Sequence, residues 1–155
     1  MKSIAQVFPL DNSPGYIINK LARELNACLY RSFRNNGYEI TAQQWAVLNR
    51  LWEIEGLHQS ELAEKTTKNR HNISRILNQF EIKGLIKRES DAHDKRLQRV
   101  YLTAKGKSLK DKLIPIALET LENVFAGITQ QEFRILERIH KKIMANIESP
   151  KNNKG

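Results

Sequence analysis

Lysine and arginine side chains crowd one stretch of this sequence, residues 65–110. The stretch has 13 Lys and Arg against 4 Asp and Glu, a net formal charge of +9, whereas the rest of the chain has 13 basic and 13 acidic residues. Clustered cations bind polyanions because each phosphate they neutralise releases condensed counterions. The charge pattern therefore predicts one basic module that binds nucleic acid, carried on a neutral body.

Two helices are predicted at the start of this stretch. A short helix over residues 60–65 is followed by a tight connection at 66–68 and by a longer helix over 70–83, which Gly84 ends. The apolar side chains that recur at helical spacing in the longer helix are Ile73, Ile76, Leu77 and Phe80. Two helices joined in this way predict a helix-turn-helix, whose second helix enters the major groove of DNA.

The periodicity then changes from that of a helix to that of a strand. Residues 85–89 and 98–102 alternate between apolar and polar side chains around a charged tip at 90–97. A hairpin directly after a helix-turn-helix predicts the wing of a winged helix-turn-helix.

Longer helices are predicted on both sides of this module. Thr41 with Gln44, and Thr129 with Glu132, form capping-box patterns, and Thr103 is a suitable cap for a long helix. The apolar stripes of the outer helices are wider than the small module can cover, so a second copy of the chain is expected to cover them.

The sequence thus predicts a mostly α fold with a small β-hairpin wing, a winged helix-turn-helix with N- and C-terminal dimerisation helices. The predicted regions are an N-terminal arm with the first dimerisation helix at 1–36, the DNA-binding region at 37–103, C-terminal dimerisation helices at 104–148 and a disordered tail at 149–155.

The polar face of the second helix carries the residues that we expect to contact DNA. Arg75 suits the O6 and N7 atoms of guanine, and Asn72 suits the N6 and N7 atoms of adenine. Phosphate contacts are expected where the helix begins, from Asn69, Arg70 and Ser74. The full predicted recognition set is Asn69, Arg70, His71, Asn72, Ser74, Arg75 and Asn78.

The wing is expected to reach the flanking minor groove through Lys95 or Arg96, because a flat guanidinium suits a narrow, negative groove. Asp94 is expected to hold Arg96 in its rotamer without touching DNA. The other wing cations, expected at phosphates or as part of the general positive field, are Lys87, Arg88 and Arg99.

Five sequence segments follow one another along the chain: TAQQWAVL at 41–48, QSELA at 59–63, ISRIL at 73–77 with EIKGLI at 81–86, DKR at 94–96 and LTAKG at 102–106. In this order they resemble the MarR family of bacterial regulators, and the resemblance covers roughly residues 14–147. The resemblance implies a homodimeric repressor or activator whose first and last helices make the dimer contacts. It also implies a small phenolic or lipophilic effector, and in some members a response to oxidants.

Two departures from the family pattern concern the turn and the helix before it. Thr67 and Lys68 stand where the family usually has a glycine and an apolar residue, and His58 stands where Ser or Thr usually caps the helix. The geometry of the turn is therefore expected to differ from that of other members.

Other residue types predict little chemistry. Cys28 falls on an apolar helix face and is expected to be a buried, inert thiol. The four histidines lack the spacing of metal ligands, and no nucleophile, phosphate loop or acid/base pair is evident, so neither a metal, a cofactor nor an enzyme is predicted. Trp45 and Trp52 are expected in the core, with Trp45 alternatively lining an effector cavity.

Cytoplasmic localisation is expected, without membrane contact. No run approaches the roughly 18 apolar residues of a spanning helix, and the N-terminal residues lack the apolar stretch of a signal peptide.

The predicted function is a homodimeric, sequence-specific transcriptional regulator, a ligand-responsive repressor that binds a palindromic operator on double-stranded DNA. One alternative is a nonspecific architectural DNA binder, against which the pairing of Asn72 with Arg75 argues. The other is a winged helix that binds a protein or an anionic membrane surface.

Overall fold

The structure, a computed structural model, describes residues 10–66 and 70–149, without the side chains of Leu10 and Arg70. After a 3-10 turn at Leu10–Asn12, its elements are α1 (Pro14–Asn35), α2 (Ala42–Glu53), β1 (Leu57–His58), α3 (Gln59–Lys65), α4 (Arg70–Ile82), β2 (Ile86–Ser90), β3 (Gln98–Leu102), α5 (Ala104–Val124) and α6 (Gln130–Glu148). The predicted mostly α fold with a hairpin wing is confirmed. The predicted arm at 1–9, the turn residues 67–69 and the end of the tail, 150–155, lie outside the described residues.

The predicted helix starts are confirmed by their hydrogen bonds. The backbone N–H of Thr41 donates to Oε1 of Gln44 at 3.0 Å, and the backbone N–H of Gln44 donates back to the Thr41 hydroxyl at 3.2 Å. Thr129 and Glu132 form the same reciprocal pair at the start of α6. The Thr103 hydroxyl accepts from a backbone N–H in the first turn of α5. These caps satisfy N–H groups that the helix itself leaves unpaired.

The wing belongs to a three-stranded antiparallel sheet in the order β1-β3-β2. Strands β2 and β3 pair from Ile86 opposite Leu102 to Ser90 opposite Gln98. The sequence did not predict β1, which pairs Leu57 with Val100. Two residues are too few to show the alternation that identifies a strand, so β1 depends on the presence of β3.

The chain forms two compact units, divided between Thr120 and Leu121. The core of the first unit draws on all its helices and on the sheet. Its largest fully buried side chains are Phe33, Phe80, Leu48, Leu51, Leu62, Ile73, Ile76, Leu77, Leu113, Val47 and Val100. The Trp45 ring lies 5.0 Å from that of Phe33 and 5.8 Å from that of Trp52, and both tryptophans pack against this core.

Each unit also has a helix with an exposed apolar face. In the first unit this is α1, with Tyr16, Ile17, Ile18 and Leu21 exposed. In the second it is α6, with Phe133, Ile135, Leu136, Ile139, Ile143 and Ile147 exposed. Cys28, on α1, is half-buried. None of the helices in the described ranges is both long and apolar enough to cross a membrane.

Gly106, in the first turn of α5, lies against the backbone just before β2. A Cβ atom added there would lie 2.0 Å from the backbone oxygen of Leu85, which also accepts from the N–H of Thr103 at 3.0 Å. The oxygen of Gly106 in turn accepts from Nε1 of Trp52 at 3.0 Å. The position is therefore held from two sides and has no room for a side chain.

We expect Gly106→Ala to lower the free energy of unfolding by about 1–3 kcal/mol, because an overpacked backbone contact has to open. Gly15→Ala is the matched control, since a Cβ atom there has no neighbour within 4 Å and alanine is the better helix former. Urea unfolding of both variants at one protein concentration measures the difference. Equal stability of the two variants would show that the contact is not tight.

Candidate nucleic-acid interface

Helix α4 has one buried face and one polar face. Ile73, Leu77 and Phe80 are 0% exposed. Across the helix, His71, Arg75 and Asn78 are exposed, and Asn72 and Ser74 are half-buried. Five of the seven predicted recognition residues thus lie together on the polar side of one helix. The other two, Asn69 and the side chain of Arg70, lie outside the described residues.

A chain of hydrogen bonds runs along the start of this polar face. Nδ2 of Asn72 donates to Oε1 of Gln43, on helix α2, at 2.7 Å. Nη2 of Arg75 donates to Oδ1 of the same Asn72 at 3.2 Å. Asn72 therefore links Arg75 to α2, a role that the sequence did not predict.

A second amide pair links the same two helices. Nε2 of Gln44, which is 7% exposed, donates to Oε1 of Gln79 at 3.0 Å. The sequence predicted Gln44 only as the third residue of a capping box. In the structure its side chain accepts from the backbone N–H of Thr41 and also donates to Gln79.

The end of α4 is joined to the wing by Arg88. Its side chain is 17% exposed, and its Nη2 donates to Glu81 at 2.7 Å and, by a short hydrogen bond, to Oδ1 of Asn78. Asn78, a predicted DNA contact, is thus engaged by Arg88. Arg88 itself, predicted at a phosphate or in the general field, has acceptors within the protein.

Arg96 projects from the wing tip. Its side chain is 91% exposed, and its Nε and Nη2 donate to the two carboxylate oxygens of Asp94 at 3.2 and 3.4 Å. The backbone N–H of Arg96 also donates to Oδ1 of Asp94 at 3.0 Å. The expected contact between the two side chains is present, and Lys95 is exposed beside them.

Asp91 organises the tip of the wing, in the loop between β2 and β3, a role that the sequence did not predict. This carboxylate is 5% exposed and accepts from the backbone N–H groups of His93 and Asp94 at 2.7 and 3.0 Å and from Nε of Arg99 at 2.5 Å. These hydrogen bonds, those of the two backbone N–H groups foremost, hold the pKa of Asp91 well below its usual range. Nε2 of His58 lies 3.6 Å from the same carboxylate.

Arg99 and Lys87, both predicted wing contacts, differ in how the protein engages them. Nη1 of Arg99 donates to the backbone oxygen of Gly56 at 2.9 Å, so this guanidinium joins β3 to the loop before β1. Lys87 is exposed, pairs with Glu89 at 2.6 Å and lies 5.8 Å from the centroid of the Tyr101 ring. The hydrogen bond and charge of Glu89 raise the pKa of Lys87.

The sequence missed those residues whose partners lie far away along the chain. Gln43 contacts a residue 29 positions away and Arg99 one 43 positions away, and no local pattern encodes such pairs. Asp91 did offer a local signal, because aspartate commonly accepts from backbone N–H groups just after it in a turn.

Three comparisons bear on this site. Residues 40–97 match the model of the MarR family. The transcriptional regulator HosA of Escherichia coli O157:H7 is 29% identical over 106 residues, which cover 68% of this chain and 78% of HosA. A MarR-family regulator from Silicibacter pomeroyi superposes with a TM-score of 0.75 at 27% identity, covering 97% of this chain and 99% of the other.

A more distant structure shares the fold at 18% identity. It is BpsR of Bordetella bronchiseptica, whose DNA binding is regulated by 6-hydroxynicotinic acid, with a TM-score of 0.79 over 88% of this chain and 96% of BpsR.

We expect Asp91→Asn to loosen the wing, because an amide cannot form the ion pair with Arg99 and accepts backbone N–H groups more weakly. Amide hydrogen exchange in β2 and β3 should become faster, and the free energy of unfolding should fall. Asp111→Asn, at an exposed position of α5, is the control and should change neither.

The stability gap between wild type and Asp91→Asn should depend on pH. A carboxyl whose folded-state pKa is lowered stabilises the folded state above its ordinary pKa, here 3.8, and loses that effect as the pH falls through the folded-state value. The gap should thus shrink as the pH falls from about 5 into stronger acid. A gap that grows over that range would contradict this account.

Proposed function

This chain belongs to the MarR family of DNA-binding transcriptional regulators, which are not enzymes, and on that premise we propose that it acts as a homodimer on a palindromic operator. The observation that carries the proposal is the polar face of α4. Because the opposite face of the helix is buried, this polar face is directed outward, and it lies in the same compact unit as the exposed Arg96. A helix for the major groove and a cation for the minor groove are what a winged helix uses to read DNA.

Arg75 is the proposed base reader in the major groove. A guanidinium has five N–H donors, and the bond to Asn72 occupies one of them. The remaining donors suffice for a bidentate contact with guanine. His71 and Ser74 lie on the same side of α4 and are proposed as flanking contacts. Arg70, the first residue of the helix, and Asn69, which precedes it in the sequence, are proposed with them.

In this proposal some cations of the wing act on DNA, whereas others act as braces, which means that they hold parts of the protein together. Arg96 enters the minor groove with its guanidinium aligned by Asp94, while Lys95 and Lys87 contribute to the positive field. Arg99 and Arg88 act mainly as braces, because their donors are directed at Asp91, Gly56, Glu81 and Asn78.

The dimer is proposed from the exposed apolar faces of α1 and α6. A second copy that covers them would bury side chains that water otherwise contacts, at roughly 25 cal/mol per Å². Two-fold symmetry then requires a palindromic site with half-sites about 34–36 Å apart.

A small phenolic or lipophilic effector that weakens DNA binding is also proposed, which would make the protein a ligand-responsive repressor in the cytoplasm. Support comes from BpsR, whose fold this chain shares and whose DNA binding responds to a small hydroxylated aromatic acid.

Sequence-specific binding can be tested by selecting duplexes from a random library and titrating the selected site against a scrambled one at near-physiological salt. The selected site should bind at least about a thousandfold more tightly, and footprinting should show two protected half-sites. Tight, salt-sensitive binding without selection would identify an architectural DNA binder instead. Weak DNA binding even at low salt would favour a module for proteins or anionic membranes.

Arg96→Ala should weaken binding to the selected site by about tenfold, ~1.4 kcal/mol, without changing the free energy of unfolding. Arg23→Ala is the matched control, since Arg23 is also exposed and paired with a neighbouring acid, Glu24, but lies on α1. Fluorescence anisotropy with labelled DNA measures both variants. Unchanged affinity of Arg96→Ala would exclude the wing tip from the interface.

A further inference from the structure

We propose that Gln43 is a specificity-determining residue, which acts through Asn72 to position the guanidinium of Arg75. The proposal rests on the DNA-reading function proposed for α4. The residues of the relay are Gln43, Asn72 and Arg75, with hydrogen bonds of 2.7 Å and 3.2 Å between successive members.

The relay changes the role expected of Asn72. To read adenine, an asparagine needs its Oδ1 to accept from N6 and its Nδ2 to donate to N7. In this structure Oδ1 already accepts from Arg75, and Nδ2 already donates to Gln43. An adenine contact would have to replace both bonds, whereas an alignment role preserves them. Asn72 is therefore the middle member of the relay.

Positioning matters here because Arg75 lies on the surface of α4. Its side chain is exposed, and a long exposed side chain loses rotamer freedom when it binds a base. A hydrogen bond that selects the binding rotamer beforehand reduces that loss. It also determines which base pair the remaining N–H groups of Arg75 contact.

Gln43 is well placed to anchor the relay. It is the second residue of α2, a helix whose start is fixed by the Thr41–Gln44 capping box. Its neighbour Gln44 also reaches α4, through Gln79. The two successive glutamines thus contact residues 72 and 79 of α4, which are seven apart and share one helix face. These contacts between α2 and α4 hold Oε1 of Gln43 close to the polar face of α4.

Gln43→Ala tests the proposal by its effect on base preference. Duplex selection with this variant should yield the same half-site spacing and overall sequence, with the preference at one base pair per half-site reduced about fivefold to tenfold. Arg75→Ala should abolish the preference at that same base pair. The free energy of unfolding should not change, because Gln43 is exposed.

Gln43→Glu supplies the conservative rescue, since it keeps an oxygen acceptor at the same length. It should restore the base preference while lowering affinity uniformly, through repulsion of phosphate by the added charge. Gln131→Ala, which removes an exposed glutamine from α6, is the control and should leave base preference unchanged. Nuclear magnetic resonance without DNA adds a direct readout. The side-chain amide signals of Asn72 should shift in Gln43→Ala and not in the control.

The outcomes separate this proposal from the one on which it rests. If wild-type protein selects no sequence, the proposed function fails. If wild type selects a site and Gln43→Ala selects it with identical preference at every base pair, the relay is wrong and the proposed function stands. A uniform loss of affinity in Gln43→Ala would likewise overturn the relay, because it would assign Gln43 to phosphate.

Discussion

Burial of one face of helix α4 is the constraint on which the rest of the structure depends. Ile73, Ile76, Leu77 and Phe80 are at most 1% exposed, and exposing a side chain of this kind costs about 1.5–3 kcal/mol. Rotation of the helix about its axis would expose several of them at once. A net hydrogen bond contributes only about 0.5–1.5 kcal/mol, so the glutamines of α2 adjust the helix within an orientation that the core has already set.

Hydrogen bonds and ion pairs, in addition to apolar burial, organise the wing. Ile86, Val100 and Leu102 of its two five-residue strands are buried, whereas the loop between the strands is shaped by polar contacts. Asp91 collects two backbone N–H groups and one guanidinium there, so Arg99 is directed inward. Arg96, three positions earlier, is directed outward. Two arginines of the same hairpin thus have opposite roles, and the difference comes from the acid that each contacts.

The sequence predicted most of the fold because its signals are local. Capping residues at Thr41 and Thr129, helical spacing in α4 and alternation in β2 and β3 each act within a few residues of the chain. Strand β1 was missed because its pairing with β3 spans more than forty residues. The same limit applies to the site. Residue type identified Arg75 and Arg96 as candidates, but charge alone could not separate exposed cations from braces such as Arg88 and Arg99, whose partners are set by tertiary structure.

Strand order in the sheet has a consequence for association between molecules. Because β3 lies in the middle, β2 is an edge strand, and an edge strand can pair with the backbone of another chain and so initiate aggregation. Its residues Lys87, Arg88 and Glu89 place three consecutive charges along that edge. Charged side chains on an edge oppose such pairing. The charges on β2 therefore also oppose the addition of a strand from another molecule to this sheet.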